Sequence, residues 1–428
     1  MAAKKILLLA TLDTKGEETA RLRERIEELG REVMVLDLSM RRGPRCREAD
    51  IAAREVAAAG GCTIDEIHAC PDRARNTEVM IRGAVEVAKR LVGEGRVTAV
   101  VGLGGSTGSL MATDVMRALP FGLPKLMVSS TAALPGLATR YIGTGDICLF
   151  HSVVEIAGNN RILQSVIDRA ARAACAMAGS PLPAPGRAAG GEKMVALTMM
   201  GPCEQCASAV RRALEGEGLQ VAGFSAAGIG DRAMDEMIGQ GLFDGVVDLA
   251  PTGVIEHLVG GMRDAGPLRL SAASEAGVPQ VVSTAGVNHI TPARRAYTED
   301  HRARRKYELD RHRTWLRASE KELRAAARAF AARLNRARGP VRVVIPTRGW
   351  SQADRPGNAT YDPAEDGVFV DELAGLLRSD IELRTVDAHL EEPAFAHALV
   401  AACREVFGIA SPRPAPAGPE ALAVPVVV

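Results

Sequence analysis

Short apolar runs of strand type alternate with amphipathic helical stretches along this chain, and the alternation restricts its fold more than any other feature. Helical patterns such as those at residues 17–29 and 77–91 separate the runs, as crossover helices must between parallel strands. In the first half the candidate strands are residues 5–11, 33–38, 97–103, 125–130 and a weaker run at 141–149. The pattern predicts an α/β protein with mainly parallel sheets.

The alternation is interrupted once, and the interruption divides the chain. A helix is predicted over residues 153–177, after which the Gly-, Ser- and Pro-rich residues 179–186 break all periodicity. Further strands are predicted at residues 194–199, 220–224, 245–249, 280–283, 342–345 and 381–386. A chain of 428 residues, 47% of them hydrophobic, can bury two cores. We therefore predict two tandem α/β domains, at 1–185 and 193–408, and a Pro- and Ala-rich tail at 409–428.

Composition argues against several classes of partner. The 53 Lys and Arg residues balance 52 acidic residues, so no overall positive field attracts a nucleic-acid backbone or an anionic membrane. The apolar run at residues 6–10 is too short for a secretion signal, and Asp13 and Lys15 follow it. Eight scattered cysteines do not resemble a disulfide framework. We expect a cytoplasmic protein without nucleic-acid or membrane partners.

A glycine-rich loop follows the third predicted strand and precedes a helical pattern at residues 109–119. Glycines let backbone N–H groups approach an anion, and a helix N-terminus adds unpaired donors and positive partial charge. A tight strand-to-helix turn also needs glycine, and the loop matches neither the Walker A pattern nor a clean dinucleotide fingerprint. Phosphate binding and a structural turn both stay open on this loop alone. Its candidate ligands are Gly104, Gly105, Ser106, Thr107 and Gly108.

Polar loops after two other strands strengthen the phosphate hypothesis, because such loops meet at the carboxyl edge of a parallel sheet. Lys15 can neutralise phosphate oxygens and Asp13 can position Mg²⁺, so the loops suit a nucleoside triphosphate with Mg²⁺ better than a bare sugar. Thr14 and Glu17 also fit a capping box, which explains neither Asp13 nor Lys15. The further candidates for this pocket are Thr14, Ser129, Ser130, Thr131, Gly143 and Asp146.

A second pocket, for a small metabolite, is predicted in the second half. A glycine loop again leads from a strand into a helix, although Asp231 there can also be a simple helix cap. His289 lies in a polar loop after a strand, and the alternative for it is a structurally bonded histidine. The second-pocket candidates are Gly228, Gly230, Asp231, Arg232, His289 and Arg348.

Two other motifs have simpler explanations beside functional ones. Cys203 and Cys206 have the spacing of a redox or half-zinc motif, but no second pair completes a metal site, so we favour buried or incidental thiols. The Arg-rich residues 297–335 can grip phosphates or form a solvated or oligomer-contacting face, and we favour the latter.

The order of these motifs resembles the family that contains the ATP-binding inhibitory domain of the tomato mosaic virus resistance protein. The similarity covers residues 11–15, 102–108, 119–129, 143–147, 228–234, 260–267, 361–363 and 393–396. The chain departs from the family pattern at residues 132–136, 202–206 and 288–289, which affects the second pocket more than the first. The resemblance implies two tandem Rossmann-like domains, ATP bound by the first, and a homodimer or higher homo-oligomer.

Loops and resemblance together predict an ATP-binding protein. It is either an enzyme that couples ATP to a small metabolite held by the second domain, or a non-catalytic protein of nucleotide-dependent interaction or sensing. An enzyme that acts on a phosphorylated metabolite without ATP is a third possibility. The sequence does not identify catalytic residues.

Overall fold

The first five strands form one parallel sheet in a computed structural model that describes residues 4–42, 49–179, 192–311 and 313–409. These strands are β1 (Lys5–Ala10), β2 (Val33–Asp37), β3 (Val97–Gly104), β4 (Lys125–Ser129) and β5 (Ile147–His151). Their order across the sheet is β2-β1-β3-β4-β5. In the resulting register, Leu8 of β1 lies between Val35 of β2 and Val101 of β3.

Helices cover both faces of this sheet, which explains why its central strands are apolar throughout. Alternate residues of β1 point to opposite faces: Ile6 and Leu8 pack with the helices Leu12–Glu28 and Arg161–Ala178, and Leu7 and Leu9 pack with the helices Arg73–Gly93 and Ser106–Arg117. The helices of this half are α1 (Leu12–Glu28), α2 (Ala53–Ala59), α3 (Ile64–Ala69), α4 (Arg73–Gly93), α5 (Ser106–Arg117), α6 (Leu137–Ile142) and α7 (Arg161–Ala178).

The second half builds its own parallel sheet of six strands. Their order is β14-β13-β9-β8-β6-β7, with β6 (Met194–Met199), β7 (Gln220–Ser225), β8 (Gly245–Asp248), β9 (Gln280–Val282), β13 (Val341–Pro346) and β14 (Glu382–Val386). Its helices are α8 (Glu204–Gly216), α9 (Ile229–Gly239), α10 (Gly253–Val259), α11 (Ala272–Ala276), α12 (Glu299–Ala303), α13 (Glu320–Leu334), α14 (Pro363–Leu376) and α15 (Pro393–Phe407). The chain thus forms two compact units, residues 1–186 and 187–428.

The fold is the predicted α/β architecture with two successive parallel sheets, and that prediction is confirmed. The weak strand predicted at 141–149 is wrong in its first part, because α6 continues to Ile142 and β5 begins only at Ile147. The helix predicted from residue 153 begins at Arg161, where the side chain of Asn160 accepts the N–H of Leu163. Residues 410–428 of the predicted tail lie outside the described residues.

The basic residues of the Arg-rich interval are mostly exposed, as a solvated or oligomer-contacting face requires, and Arg302, Arg305, Lys306, Arg311 and Arg313 all reach solvent. Part of it forms a small antiparallel sheet, β10-β12-β11, from β10 (His289–Ile290), β12 (Thr314–Arg317) and β11 (Lys306–Glu308). All four residues of β12 are buried, including Trp315 and Arg317. Sequence periodicity missed this sheet because its strands are only two to four residues long. In the described ranges, no helix combines the length and apolar character needed to cross a membrane.

Candidate functional site

The crevice between β1 and β3 is the first place where this fold can hold a ligand. With β1 between β2 and β3, the sheet has the strand order whose switch point lies outside the carboxyl ends of β1 and β3. The residues after β1 begin with Thr11, and Gly105 alone connects β3 to α5. A ligand at this point therefore meets the loop after β1 and the N-terminus of α5.

The N-terminus of α5 is open toward this crevice. Gly105 occupies the N-cap position and has no side chain with which to cap the first-turn amides. A Cβ built on Gly105 would have Ser130 Oγ as its nearest neighbour, at 3.8 Å, and one on Gly108 would lie 3.7 Å from Thr11 Oγ1. The loops after β1, β3 and β4 consequently meet around the first turn of α5.

The hydroxyl groups after β4 divide into internal and edge groups. Ser109 Oγ donates to Ser129 Oγ at 2.7 Å, and Thr131 Oγ1 lies 2.8 Å from the hydroxyl of Tyr141. Ser129 is fully buried, so it fixes the loop from inside. Ser130 is half-buried and donates to Glu155 Oε2 at 3.3 Å. Of the three predicted ligands, Ser129 is internal, whereas Ser130 and Thr131 are both half-buried and each contacts another side chain.

Asp13, Thr14 and Lys15 lie in the first turn of α1, directly after Thr11, and polar contacts hold their side chains. Lys15 Nζ donates to the carbonyl of Ile156 at 2.6 Å, and Thr14 Oγ1 lies 3.0 Å from Thr11 Oγ1. Asp13 Oδ2 accepts the backbone N–H of Arg41 at 3.1 Å. Thr14 therefore contacts Thr11, and Glu17 forms an ion pair with Arg21 at 3.7 Å. These contacts of Thr14 and Glu17 are not those of a capping box.

Two residues at this edge were missed by the sequence reasoning. The guanidinium of Arg73, at the start of α4, donates to Thr107 Oγ1 at 3.0 Å and so places a cation on the first turn of α5. Asp37, at the end of β2, accepts the N–H of Leu12 at 3.2 Å and fixes the turn into α1. No sequence pattern distinguished Arg73 from the other arginines of the chain. Asp37 could have been predicted, because it is a carboxylate at the end of the strand next to β1.

Gly143 and Asp146 lie at the opposite, amino edge of the sheet. Asp146 directly precedes β5, and its Oδ1 accepts from Lys125 Nζ, at the start of β4, at 2.6 Å. A Cβ on Gly143 would lie 2.8 Å from Cδ of Arg117, the last residue of α5. The structure therefore does not bring these two residues together with the other predicted nucleotide ligands.

The predicted second-pocket residues belong to separate contact networks. Asp231 is fully buried in the first turn of α9, 3.2 Å from Arg269 Nε, while Gly228 occupies the N-cap position. His289 is fully buried, with Nδ1 2.7 Å from Asn288 Oδ1. Arg348 is half-exposed and pairs with Glu392 at 2.7 Å.

The remaining second-pocket candidates have structural or surface positions. A Cβ on Gly228 would come within 2.8 Å of the carbonyl of Asp264, and one on Gly230 would collide with the carbonyl of Ser225. Both glycines are therefore needed for close backbone packing. Arg232 is exposed on α9.

The CxxC cysteines are buried thiols. Cys203 Sγ donates to the carbonyl of Met200 at 3.3 Å, and both Cys203 and Cys206 are almost without exposure. Burial raises the pKa of the Cys203 thiol to about 12 and that of Cys206 well above its usual value. Because thiol chemistry runs through the thiolate, these groups are inert at neutral pH.

Comparison with known proteins identifies the family. The N-terminal domain of an uncharacterised protein family (UPF0261) matches residues 4–182, and the C-terminal domain of the same family matches residues 192–407. A UPF0261 protein of Clostridium tetani is 33% identical over 399 residues, covering 92% of this chain and 97% of that protein. This chain belongs to the UPF0261 family.

The sequence similarity extends to a plant protein. The ToMV resistance protein Tm-1 of Solanum lycopersicum is 31% identical over 318 residues, which are 73% of this chain and 42% of that protein. A crystal structure of UDP-N-acetylglucosamine 2-epimerase aligns with 65% of this chain and 79% of its own at 11% identity. Its TM-score is 0.19, so that likeness carries no functional argument.

The Lys125–Asp146 pair gives a first prediction. Lys125 is 1% exposed, and burial lowers the pKa of its ammonium group even with Asp146 beside it. Asp146→Asn should lower the free energy of unfolding by roughly 2 to 4 kcal/mol, because it leaves a buried charge uncompensated. Urea unfolding measures the loss, and the double variant Asp146→Asn with Lys125→Met should recover most of it. Loss of nucleotide affinity at unchanged stability would instead return Asp146 to the ligand site.

The buried cluster around Arg269 gives a second prediction. Burial, partly offset by Arg269, raises the pKa of Asp231 to about 6 and that of Asp235 to about 7. The folded state therefore keeps protons that the unfolded chain, with aspartate pKa values of about 3.9, releases. These two groups should make stability fall as the pH rises from about 4 to about 7.

Asp235→Asn replaces one of these two titrating carboxyl groups with a neutral amide and so isolates its effect on stability. Relative to wild type, the variant should gain stability across that window, by at most about 1.4 kcal/mol per pH unit, and the gain should level off above about pH 8. Urea unfolding at several pH values measures the difference, with the exposed Asp371→Asn as the matched substitution. A difference independent of pH would contradict the assignment.

Proposed function

We propose that this member of the UPF0261 family binds ATP at the carboxyl edge of its first sheet and a small metabolite in its second domain. The observation that carries the first part is the open N-terminus of α5 with Gly105 at its cap. A helix N-terminus concentrates about half a positive charge and unpaired N–H donors, which suits phosphate oxygens. The absence of a Cβ on Gly105 lets a phosphate reach these donors.

Backbone N–H groups of α5 and nearby side chains bind the phosphates together. The first-turn residues Ser106, Thr107 and Gly108 supply N–H groups, and Ser106 is exposed at the edge. Arg73 supplies a guanidinium through its contact with Thr107, and guanidinium groups recognise phosphate oxygens in pairs. Lys15 donates one of its three ammonium hydrogens to Ile156, which leaves two for a phosphate oxygen.

Asp13 fits a magnesium ion that the nucleotide brings with it. Mg²⁺ typically binds one or two protein carboxylates together with phosphate oxygens and water. Asp13 is half-buried at the crevice, and one of its oxygens accepts from Arg41. Within the described ranges no group of three or more His, Cys, Asp or Glu side chains is placed to hold a metal. We therefore assign the ion to Asp13 and the phosphates jointly.

A nucleotide-dependent interaction protein is the second candidate function. It is supported by the relationship to a tomato protein that is named for resistance to ToMV. Release of inorganic phosphate from ATP separates the two candidates. Turnover that appears only in the presence of one metabolite supports an enzyme, and nucleotide binding without turnover across a metabolite pool supports the interaction protein.

Calorimetric titration with ATP and Mg²⁺ tests the phosphate site. Gly105→Asp should weaken binding at least tenfold, because it places a carboxylate where the phosphate charge is expected. Gly105 has a φ of −81°, which any residue can adopt, and the nearest atom to an added Cβ is Ser130 Oγ at 3.8 Å. The variant should therefore remain folded.

Gly93→Asp is the matched control, since Gly93 ends α4 with no atom within 4 Å of its added Cβ. It introduces the same charge into the same domain and should keep the wild-type affinity. Equal affinities for wild type and Gly105→Asp would contradict the proposed site.

A further inference from the structure

The loop after β9 carries His289 to the carboxyl edge of the second sheet. There Gly286 N–H donates to the carbonyl of Trp350 in the loop after β13, at 3.2 Å. Met200, after β6, and Thr252, after β8, both lie against Gly286. Loops from four strands therefore meet around Gly286, three residues before His289, at the edge where parallel sheets hold ligands.

Hydrogen bonds fix one tautomer of His289. The amide nitrogen of Asn288 donates to Asp354 Oδ2 at 2.6 Å and to Asp366 Oδ1 at 2.9 Å. Because both amide hydrogens go to carboxylates, the amide oxygen of Asn288 faces His289 Nδ1, at 2.7 Å, and accepts its hydrogen. His289 Nε2 is then left with a lone pair.

The environment also keeps His289 neutral. Complete burial and the cations of Arg317, Arg263 and Arg305 lower the pKa of His289 well below its usual value. A neutral imidazole with hydrogen on Nδ1 can only accept at Nε2. Among the described residues, no group donates to this nitrogen.

Three buried hydroxyls near the same strand ends also lack a partner among the described residues. They are Ser283 and Thr284, directly after β9, and Ser351, after β13. A buried polar atom without a hydrogen bond costs about 1 to 3 kcal/mol, so groups of this kind are normally satisfied by water or by a ligand. Together they offer one acceptor nitrogen and three hydroxyls that can donate or accept.

The cations near His289 are already paired with carboxylates. Arg263 donates twice to Glu256, at 2.7 and 2.9 Å, and Arg317 donates to Asp366 at 2.5 Å and Glu365 at 3.0 Å. Arg305 pairs with Asp362 and Glu365. An anionic ligand would therefore lose its hydration without gaining an unpaired cation, while the carboxylate oxygens Asp354 Oδ1 and Asp366 Oδ2 lack a partner among the described residues.

We propose that the carboxyl edge between β9 and β13 binds a small, neutral, hydroxyl-bearing molecule of the sugar or polyol class, with His289 Nε2 accepting a hydroxyl hydrogen. This inference rests on the proposed function, since it names the class of metabolite for the second domain. Met200 lies against Gly286, and its sulfur is 3.7 Å from a guanidinium nitrogen of Arg263. A ligand that binds beside Gly286 would therefore contact a flexible thioether.

Nitrogen NMR of the full chain with ¹⁵N-labelled histidine tests the proposal, with His289→Gln assigning the resonance. The probes are glycerol, D-ribose, D-glucose and myo-inositol, with D-ribose 5-phosphate and D-gluconate as charged analogues. At least one neutral probe should shift the Nε2 resonance saturably, at least tenfold more tightly than its charged analogue. No shift up to about 100 mM, far above a millimolar Kd, or tighter binding of the charged analogue, would overturn the proposal.

Ser283→Ala separates a binding role from a structural one. The free variant should keep or exceed the wild-type Tm, because the buried hydroxyl has no partner among the described residues, and should lose the Tm increase produced by the bound probe. Ser165→Ala, at an exposed serine, is the control and should keep that increase. A lower Tm of free Ser283→Ala with an unchanged probe response would overturn the proposal. The titrations contain no ATP, so failure here is distinct from failure of the nucleotide site.

Discussion

Parallel pairing within each sheet is the constraint on which both candidate sites depend. When all strands run in one direction, every loop that leaves a strand does so at the same edge, and the returning helices bring the chain back to the other. In both halves the first strand lies between the second and the third, which puts a switch point at that edge. Loops distant in sequence are therefore neighbours without any dedicated contact.

The two edges of the first sheet are used differently. At the amino edge, the buried Lys125 forms an ion pair with Asp146. Its ammonium group also donates to the carbonyl of Leu123 and so fixes the turn before β4. At the carboxyl edge, the first turn of α5 keeps uncapped donors, and the nearby polar side chains mostly bond to backbone. Fully paired charges stabilise a fixed arrangement, whereas free donors leave capacity for an anion.

The sequence predicted the parts of this arrangement that local pattern controls. The strand positions followed from apolar runs, and the meeting of Thr11, Gly105 and Ser130 followed from the direction of parallel strands. The edge to which Asp146 belongs did not follow, because a residue just before a strand lies at the amino edge and the start of β5 was placed too early.

Contacts over long sequence separations were beyond the sequence patterns. Arg73 reaches Thr107 across 34 positions, and Asp366 reaches Asn288 across 78. No periodicity encodes such pairs, and a buried arginine such as Arg317 has the same sequence signature as a solvated one. The tautomer of His289 depends entirely on these pairings.

Backbone amide NMR of the first turn of α5 tests the central claim most directly. If the carboxyl edge of the first sheet binds ATP with Mg²⁺, the amide protons of Ser106, Thr107 and Gly108 should shift downfield together as phosphate oxygens accept from them. The shift changes of these three amides should saturate at the same nucleotide concentration as the binding of ATP itself. Binding of ATP that leaves these three amides unchanged would contradict the account.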